Sequence, residues 1–449
     1  MNRVQLIALL YLIALFSVAY GYAVGRFAVF PYSYIEPLVA EFSAFSEGHE
    51  LEKDSTLTEK LKNDFGWSFD RLLYSYESIA DTDTSPRAYP FLGNRKEPPL
   101  AFVVEDESIS YRVVMGAMNL DDSFWGALLL DQSGNIIHHW NLSASQFNLA
   151  SELRDTQKVL YGAHVYPDGS VIFTLQEDGG GIFKVDACSA VVWHLPGEFH
   201  HAISPSEDGH FWSLEGRQSA LDQNLVKVSC ATGKIVERVN MADVRAANPD
   251  LYIWGLVALD ITKDLENHKT IYPGHGNDVD PLPANLVESF PGLSRGDLLI
   301  SYAAGNLVFI LDPETLRIMW WRIGAVDFQH DPDWEPDGKI SVYSNNLRTK
   351  DYSDIVAIDF QTKQHTVIHY GDQVGAKIGV NGLHQLSSFG TRIITNSQQG
   401  WVYEIDESGA VIFSFINSVD QVNKKSLHMS GAWRFNQDYF YEPFWTSCP

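Results

Sequence analysis

Six histidines recur at nearly one phase of an internal repeat: His164, His201 (with its neighbour His200), His275, His330, His384 and His428. Imidazole serves near neutral pH as nucleophile, general acid or base, and metal ligand. Six of the chain's 15 histidines at one phase therefore concentrate that chemistry on one feature of the fold. Three clusters carry it furthest. Phe199-His200-His201-Ala202 is followed by Glu215-Gly216-Arg217 at the end of the next strand. In His275-Gly276-Asn277-Asp278, the two-residue spacing turns His275 and Asn277 to the same side of an extended chain. Gln329-His330-Asp331-Pro332 leads to a strand ending in Tyr343-Ser344-Asn345-Asn346, and His384-Gln385 with Asn396 echoes that layout.

A repeat has to bring these clusters together. Each unit reads as a histidine on a short apolar run, a turn, an apolar strand, then a second strand ending in Asp-x-x-Gly or a variant. The first turns are Asp168-Gly169, Asp208-Gly209, Asp337-Gly338 and Phe389-Gly390. The second recur at Asp131–Gly134, Asp186–Ser189, Ser229–Gly233, Asp312–Thr315, Asp359–Thr362 and Asp406–Gly409. A period of roughly 40–50 residues with short strands predicts an all-β propeller. Equivalent residues of successive blades then meet near the axis, so six imidazoles should converge on one channel. The first unit, Gly126–Asp131 and Asn135–Trp140, has outer strands but no histidine strand before it. His428 to Tyr441 has the missing inner-strand pattern, so the termini should complete one blade together and close a ring of six. An insertion, Pro281 to Arg295, should place a short helix and loop over one face of the fourth blade.

Other readings of the histidines stay open. Polar packing that plugs a wet channel is one. Metal binding is another, but few carboxylates stand at ligand spacing and the zinc or copper signal is weak, so neither metal nor other cofactor is expected. Asp278, Asp280, Asp331 and Asp333 are donors that calcium accepts, in a spacing that matches no EF-hand loop. Gly179–Gly181 lacks the lysine and helix of a phosphate loop and reads as a hairpin turn.

Composition bounds the partners. A net charge of −25 excludes nucleic acid. With 13% aromatic residues the chain suits packed β-blades. Residues 1–26 contain an apolar run, Val4 to Val24, long enough to cross a bilayer behind Arg3. The expectation is a signal-anchor in the inner membrane with the remainder periplasmic; a cleaved signal peptide, with Ala19-Tyr20-Gly21 as its site, is the rival. Residues 27–110 should form a stalk, with helices over Tyr34–Phe45 and Leu57–Asp70, and residues 111–449 the propeller. Cys188 and Cys230 lie about one repeat apart. They read as unpaired core residues or as a disulfide, with Cys448 an equal candidate partner.

Over roughly residues 112–436 the chain resembles the bacterial arylsulfotransferases, six-bladed propellers exported to the periplasm. The resemblance shows in Ala127-Leu128-Leu129-Leu130-Asp131 through His139-Trp140, in His200-His201, and in His275-Gly276-Asn277-Asp278. It continues through Asp297-Leu298-Leu299-Ile300-Ser301, the Gly305–Trp320 strand pair, Gln329-His330, and Gly400-Trp401-Val402-Tyr403-Glu404-Ile405-Asp406. It implies transfer of a sulfuryl group from a phenolic sulfate ester to another phenol, through a transiently sulfated histidine. By resemblance His330 is the nucleophile, with His275, His200 and His201 as catalytic partners. Asn277, Gln329, His384, Asn345, Arg217 and His428 are the implied substrate contacts.

Three departures accompany the likeness. Where the family carries an arginine after the Asp-Leu-Leu-Ile-Ser strand, this chain has Tyr302-Ala303-Ala304. The Asp expected after the paired histidines is Ala202, and the expected Phe-Asp-Asn-Gly is Tyr343-Ser344-Asn345-Asn346. Arg217, Arg348 and Arg434 are the candidates to replace the lost sulfate clamp. The rival to an enzyme is a ligand-binding propeller that kept the scaffold without the clamp. A hydrolase or lyase using the same histidine channel is a third reading.

Overall fold

Along the strand Ser110–Asn119, successive apolar side chains enter different cores: Val113 and Met115 pack into one, Val114 and Met118 into another. Neighbouring residues of a strand face opposite ways, so a strand apolar at nearly every position must be covered on both sides. Leu298–Tyr302 repeats the pattern, with Ile300 and Leu299 in separate clusters.

The computed structural model, which describes residues 73–75, 99–104, 109–119, 124–143, 159–176, 180–216, 223–254, 275–347, 349–377, 379–441 and 443–448, meets this demand with six antiparallel blades. Six hydrophobic clusters among these residues fill the six seams between neighbouring blades. Blade one is Met429–Asn436, Ser110–Asn119, Phe124–Leu130 and Ile136–Asn141, in spatial order. Blades two to five follow the chain from Val159–Val165, Phe199–Pro205, Gly276–Pro281 and His330–Trp334 respectively. Blade six runs Leu383–Leu386, Arg392–Asn396, Trp401–Ile405 and Val411–Ile416, with Leu100–Val103 as a fifth strand on its outer edge. The Asp-x-x-Gly turns join third to fourth strands; Asp131, Asp186 and Asp406 each accept two backbone N–H groups through one carboxylate oxygen. Gly134 and Gly409 take the positive φ that such turns need.

The ring closes as the sequence predicts, with the C-terminal strand innermost in a blade whose other strands are N-terminal. The added finding is Ser110–Asn119, the second strand of that blade. Leu100–Val103 and Leu73–Ser75, the latter paired with Lys425–Leu427, also enter sheets from the segment expected as a stalk. Buried charge locks the closure. Glu404 of blade six accepts from Arg112 Nε at 2.7 Å and Arg434 Nη1 at 2.5 Å, both in blade one. The cysteine alternatives resolve to Cys188–Cys448, which ties the C-terminal tail to blade two, and Cys230 remains a thiol. The insertion in blade four forms a 3₁₀ turn, Ala284–Ser289, and seats Phe290 against Trp334 of blade five. Among the described residues no helix is long and apolar enough to cross a membrane. The expected span at 4–24 and the expected helices at 34–45 and 57–70 lie outside the described residues.

Candidate active site

The first strand of five blades carries an irregularity near the axis. Register shifts fall at Leu160/Ala163, His200/Ser204, Gly276/Asp278, His330/Asp333 and Met429/Gly431. An extra residue at a bulge re-aims the side chains beside it. His201 (φ 55°), His275 (φ 37°) and Asp331 (φ 51°) adopt the left-handed backbone there. That conformation is uncommon for residues with a Cβ and concentrates at functional positions.

These first strands surround a cavity of about 300 Å³, small enough to suit a single-ring ligand. Tyr161 and Trp433 give it aromatic walls, and Tyr161 stacks on His201 with ring centres 4.8 Å apart. The six phased histidines do not form an even ring. Five of them line the cavity, and His275 stands behind, packed against His201 and His330. Bulges at unequal positions in the blades break the symmetry that the repeat implies.

His330 is the best-defined of them. Its Nδ1 lies 2.8 Å from Asn345 Oδ1. The Asn345 Nδ2 group donates to the carbonyls of Gly379 (2.8 Å) and Asn381 (3.2 Å), so its oxygen faces the imidazole. His330 Nδ1–H is therefore the donor, and Nε2 keeps its lone pair. That Nε2 is buried and meets no hydrogen-bond partner. Burial lowers the His330 pKa to about 4, so the ring is neutral at pH 7.

Behind His201 runs a polar chain: Gln223 Nε2 to His200 Nε2 at 3.2 Å, then His200 Nδ1 to His201 Nδ1 at 2.8 Å. Burial lowers His200 to about 3; burial, then the neighbouring histidines, hold His201 and His275 well below the ordinary value. Asn277 donates to the Gln329 carbonyl at 2.8 Å, while its own Oδ1 is buried without a partner. Gln329 turns away from the cavity, donating to Ser301 Oγ and the Leu307 carbonyl. His384 lies between Asp331 Oδ2 (3.0 Å) and Ser341 Oγ (2.9 Å). His428 packs in a T-shaped pair with Trp125, and His164 donates to the Tyr439 hydroxyl, which itself donates to the Val165 carbonyl.

The sequence undervalued four carboxyl groups. Asp278 and Asp280 of blade four and Asp331 and Asp333 of the neighbouring blade five line one side of the site together. Burial and then mutual repulsion raise Asp280 to about 8, and hold Asp278 and Asp333 well above the ordinary range. Burial raises Asp331 to about 7. Their alternation along two neighbouring inner strands was the available signal. Among the described residues no arginine or lysine lines the cavity. Of the three proposed substitutes, Arg434 is committed to Glu404 and stacks on Phe389 at 4.1 Å, away from the cavity. Arg217 and Arg348 lie outside the described residues.

Fold and site together define a six-bladed propeller with a histidine-lined axial cavity. The family model for arylsulfotransferase (ASST) matches residues 162–418, more than half of the 449-residue chain, and the chain belongs to that family. Membership gives it the general character of an arylsulfotransferase acting on small aryl compounds. No curated protein matches the sequence. Among solved structures, a Bacteroides caccae protein of unknown function is 11% identical, with TM-score 0.48, covering 73% of this chain and 99% of its own. TolB from Acinetobacter baumannii is 9% identical, with TM-score 0.44, covering 74% of this chain and 67% of its own. Neither likeness bears on function.

Proposed function

We propose that the protein moves a sulfuryl group from an aryl sulfate to a phenol through a sulfohistidine at His330. One observation carries this: the buried, partnerless Nε2 of a neutral imidazole beside a cavity, its lone pair fixed by Asn345. Nε2 attacks sulfur, and the S–O(aryl) bond breaks with its electron pair going to the phenolate oxygen. A protonated cavity carboxyl then supplies the proton. Asp331, whose pKa is about 7, is matched to that task. The histidines, neutral with pKa values of about 4 or lower, are weaker candidates for the acid. In the second half-reaction the carboxylate accepts the proton of the acceptor phenol. The phenol oxygen attacks sulfur, and the N–S electron pair returns to Nε2. Protonated carboxyls also let an anionic sulfate enter a cavity without an arginine, since neutral O–H groups donate to its oxygens. Tyr161 and Trp433 offer aryl stacking.

The absence of a cation among the described cavity-lining residues favours the alternative, a ligand-binding propeller without transfer. Intact mass after mixing with 4-nitrophenyl sulfate decides between them. An adduct of ~80 Da and nitrophenol release, both lost in His330→Ala, are expected of the covalent route. A folded protein giving neither with several aryl sulfates refutes it. We also infer export to the periplasm, with anchorage by residues 4–24. The Cys188–Cys448 disulfide supports an oxidising compartment.

A further inference from the structure

Three of the six phased histidines do more than crowd one another. His201, His275 and His330 come from blades three, four and five, and each is buried. One ring nitrogen from each lies within 4.8 Å of the other two. We propose that these three imidazoles form a tridentate site for a borderline divalent transition metal, zinc being the best match, and that metal capture of His330 Nε2 switches off sulfuryl transfer. The proposal rests on the assignment of His330 as nucleophile only in its second half.

Geometry supports it. With Zn–N bonds of about 2.05 Å and tetrahedral angles, two coordinated imidazoles have ring centres about 5.2 Å apart. The three separations here are 5.3, 6.1 and 6.2 Å. Contraction by about 1 Å or less therefore completes the site, within reach of side-chain torsions alone. Two of the three rings also carry the outer hydrogen bond that metal-bound histidines use to fix ring and tautomer. Asn345 holds His330 Nδ1 at 2.8 Å, and His200 holds His201 Nδ1 at 2.8 Å. Turning the Gln223 amide over lets the Gln223–His200–His201 chain run its protons the other way, leaving a His201 lone pair free for the metal. His201 and His330 line the cavity, so a fourth position opens toward it, as in zinc sites that exchange their fourth ligand. The inward nitrogen of His330 serves either metal or sulfur, and one bond excludes the other.

The test uses the full-length protein, stripped with a chelator and titrated with zinc against a chromophoric competitor, beside His275→Ala and Asp331→Asn. Expected is about one zinc per chain, with affinity falling at least ~100-fold in His275→Ala and little changed in Asp331→Asn. His275→Ala must retain the native near-ultraviolet dichroism; His201→Ala is the second variant if it does not. Binding lost in Asp331→Asn but kept in His275→Ala overturns the proposal, because the ion would then sit at Asp331, Asp333 and His384. Failure of the stripped wild type to take up zinc also overturns it. Zinc uptake that leaves sulfuryl labelling of His330 unchanged overturns the switch. Zinc uptake in a protein that never labels upholds the metal site and removes the sulfuryl-transfer reading instead.

Discussion

Asn345→Ala tests whether the His330 tautomer drives the chemistry. Asn345 Oδ1 accepts from His330 Nδ1–H at 2.8 Å, and the two donors of the same amide go to Gly379 and Asn381. Alanine removes the acceptor, and the Nδ1–H is left buried. In the ground state that bond joins two neutral groups and is worth about 1 kcal/mol net. When Nε2 bonds to sulfur the ring gains positive charge, and the same bond becomes charge-assisted, about 1.5–3 kcal/mol. The difference, about 0.5–2 kcal/mol, is lost only in the transition state. It corresponds to a roughly 2- to 30-fold fall in kcat with KM little changed. Nitrophenol release under saturating 4-nitrophenyl sulfate measures it. Asn345→Asp keeps the acceptor and should retain more activity than Asn345→Ala. A folded Asn345→Ala with kcat at the wild-type level, or with its whole loss in KM, refutes the positioning role.

The remaining predictions concern pH and closure. Activity should rise through about pH 4 as His330 loses its proton, then fall through about 7–8 as Asp331 and Asp280 ionise and repel the anionic donor; an alkaline limb unmoved by Asp280→Asn contradicts this. These raised carboxyl values also make the folded state bind more protons than the unfolded chain. Their contribution to stability is complete below about pH 4 and declines as pH rises to about 8, so Asp280→Asn should help more at pH 8 than at pH 5 in urea melts. Glu404→Leu removes the carboxylate shared by two arginines that are 1% and 3% exposed. It should cost about 3–5 kcal/mol, near 6 °C in Tm for a domain of this size, and a calorimetric shift under 2 °C argues against the ion lock. Reducing Cys188–Cys448, which spans 260 residues, should cost up to about 5 kcal/mol of stability, read as a lower urea midpoint, and an unchanged midpoint removes the latch.

The blade count and the shared closing blade were legible in the sequence because turns and strand alternation are local. Asp131, Asp186 and Asp406 need only residues two to four positions on, so their spacing survives without knowledge of the fold. The histidine phase was legible for the same reason, as it repeats with the inner strand. Tertiary structure alone chose which histidines meet. Bulges at different points in successive inner strands brought His201, His275 and His330 together and gave His384 to Asp331. It also brought Asp278 and Asp280 into one cavity wall with Asp331 and Asp333, spent Arg434 on closure, and joined Cys188 to a cysteine 260 residues away. Each of these depends on the register and packing of neighbouring blades. A backbone shift of one residue there reverses which side chains face the axis, and no local pattern encodes that shift.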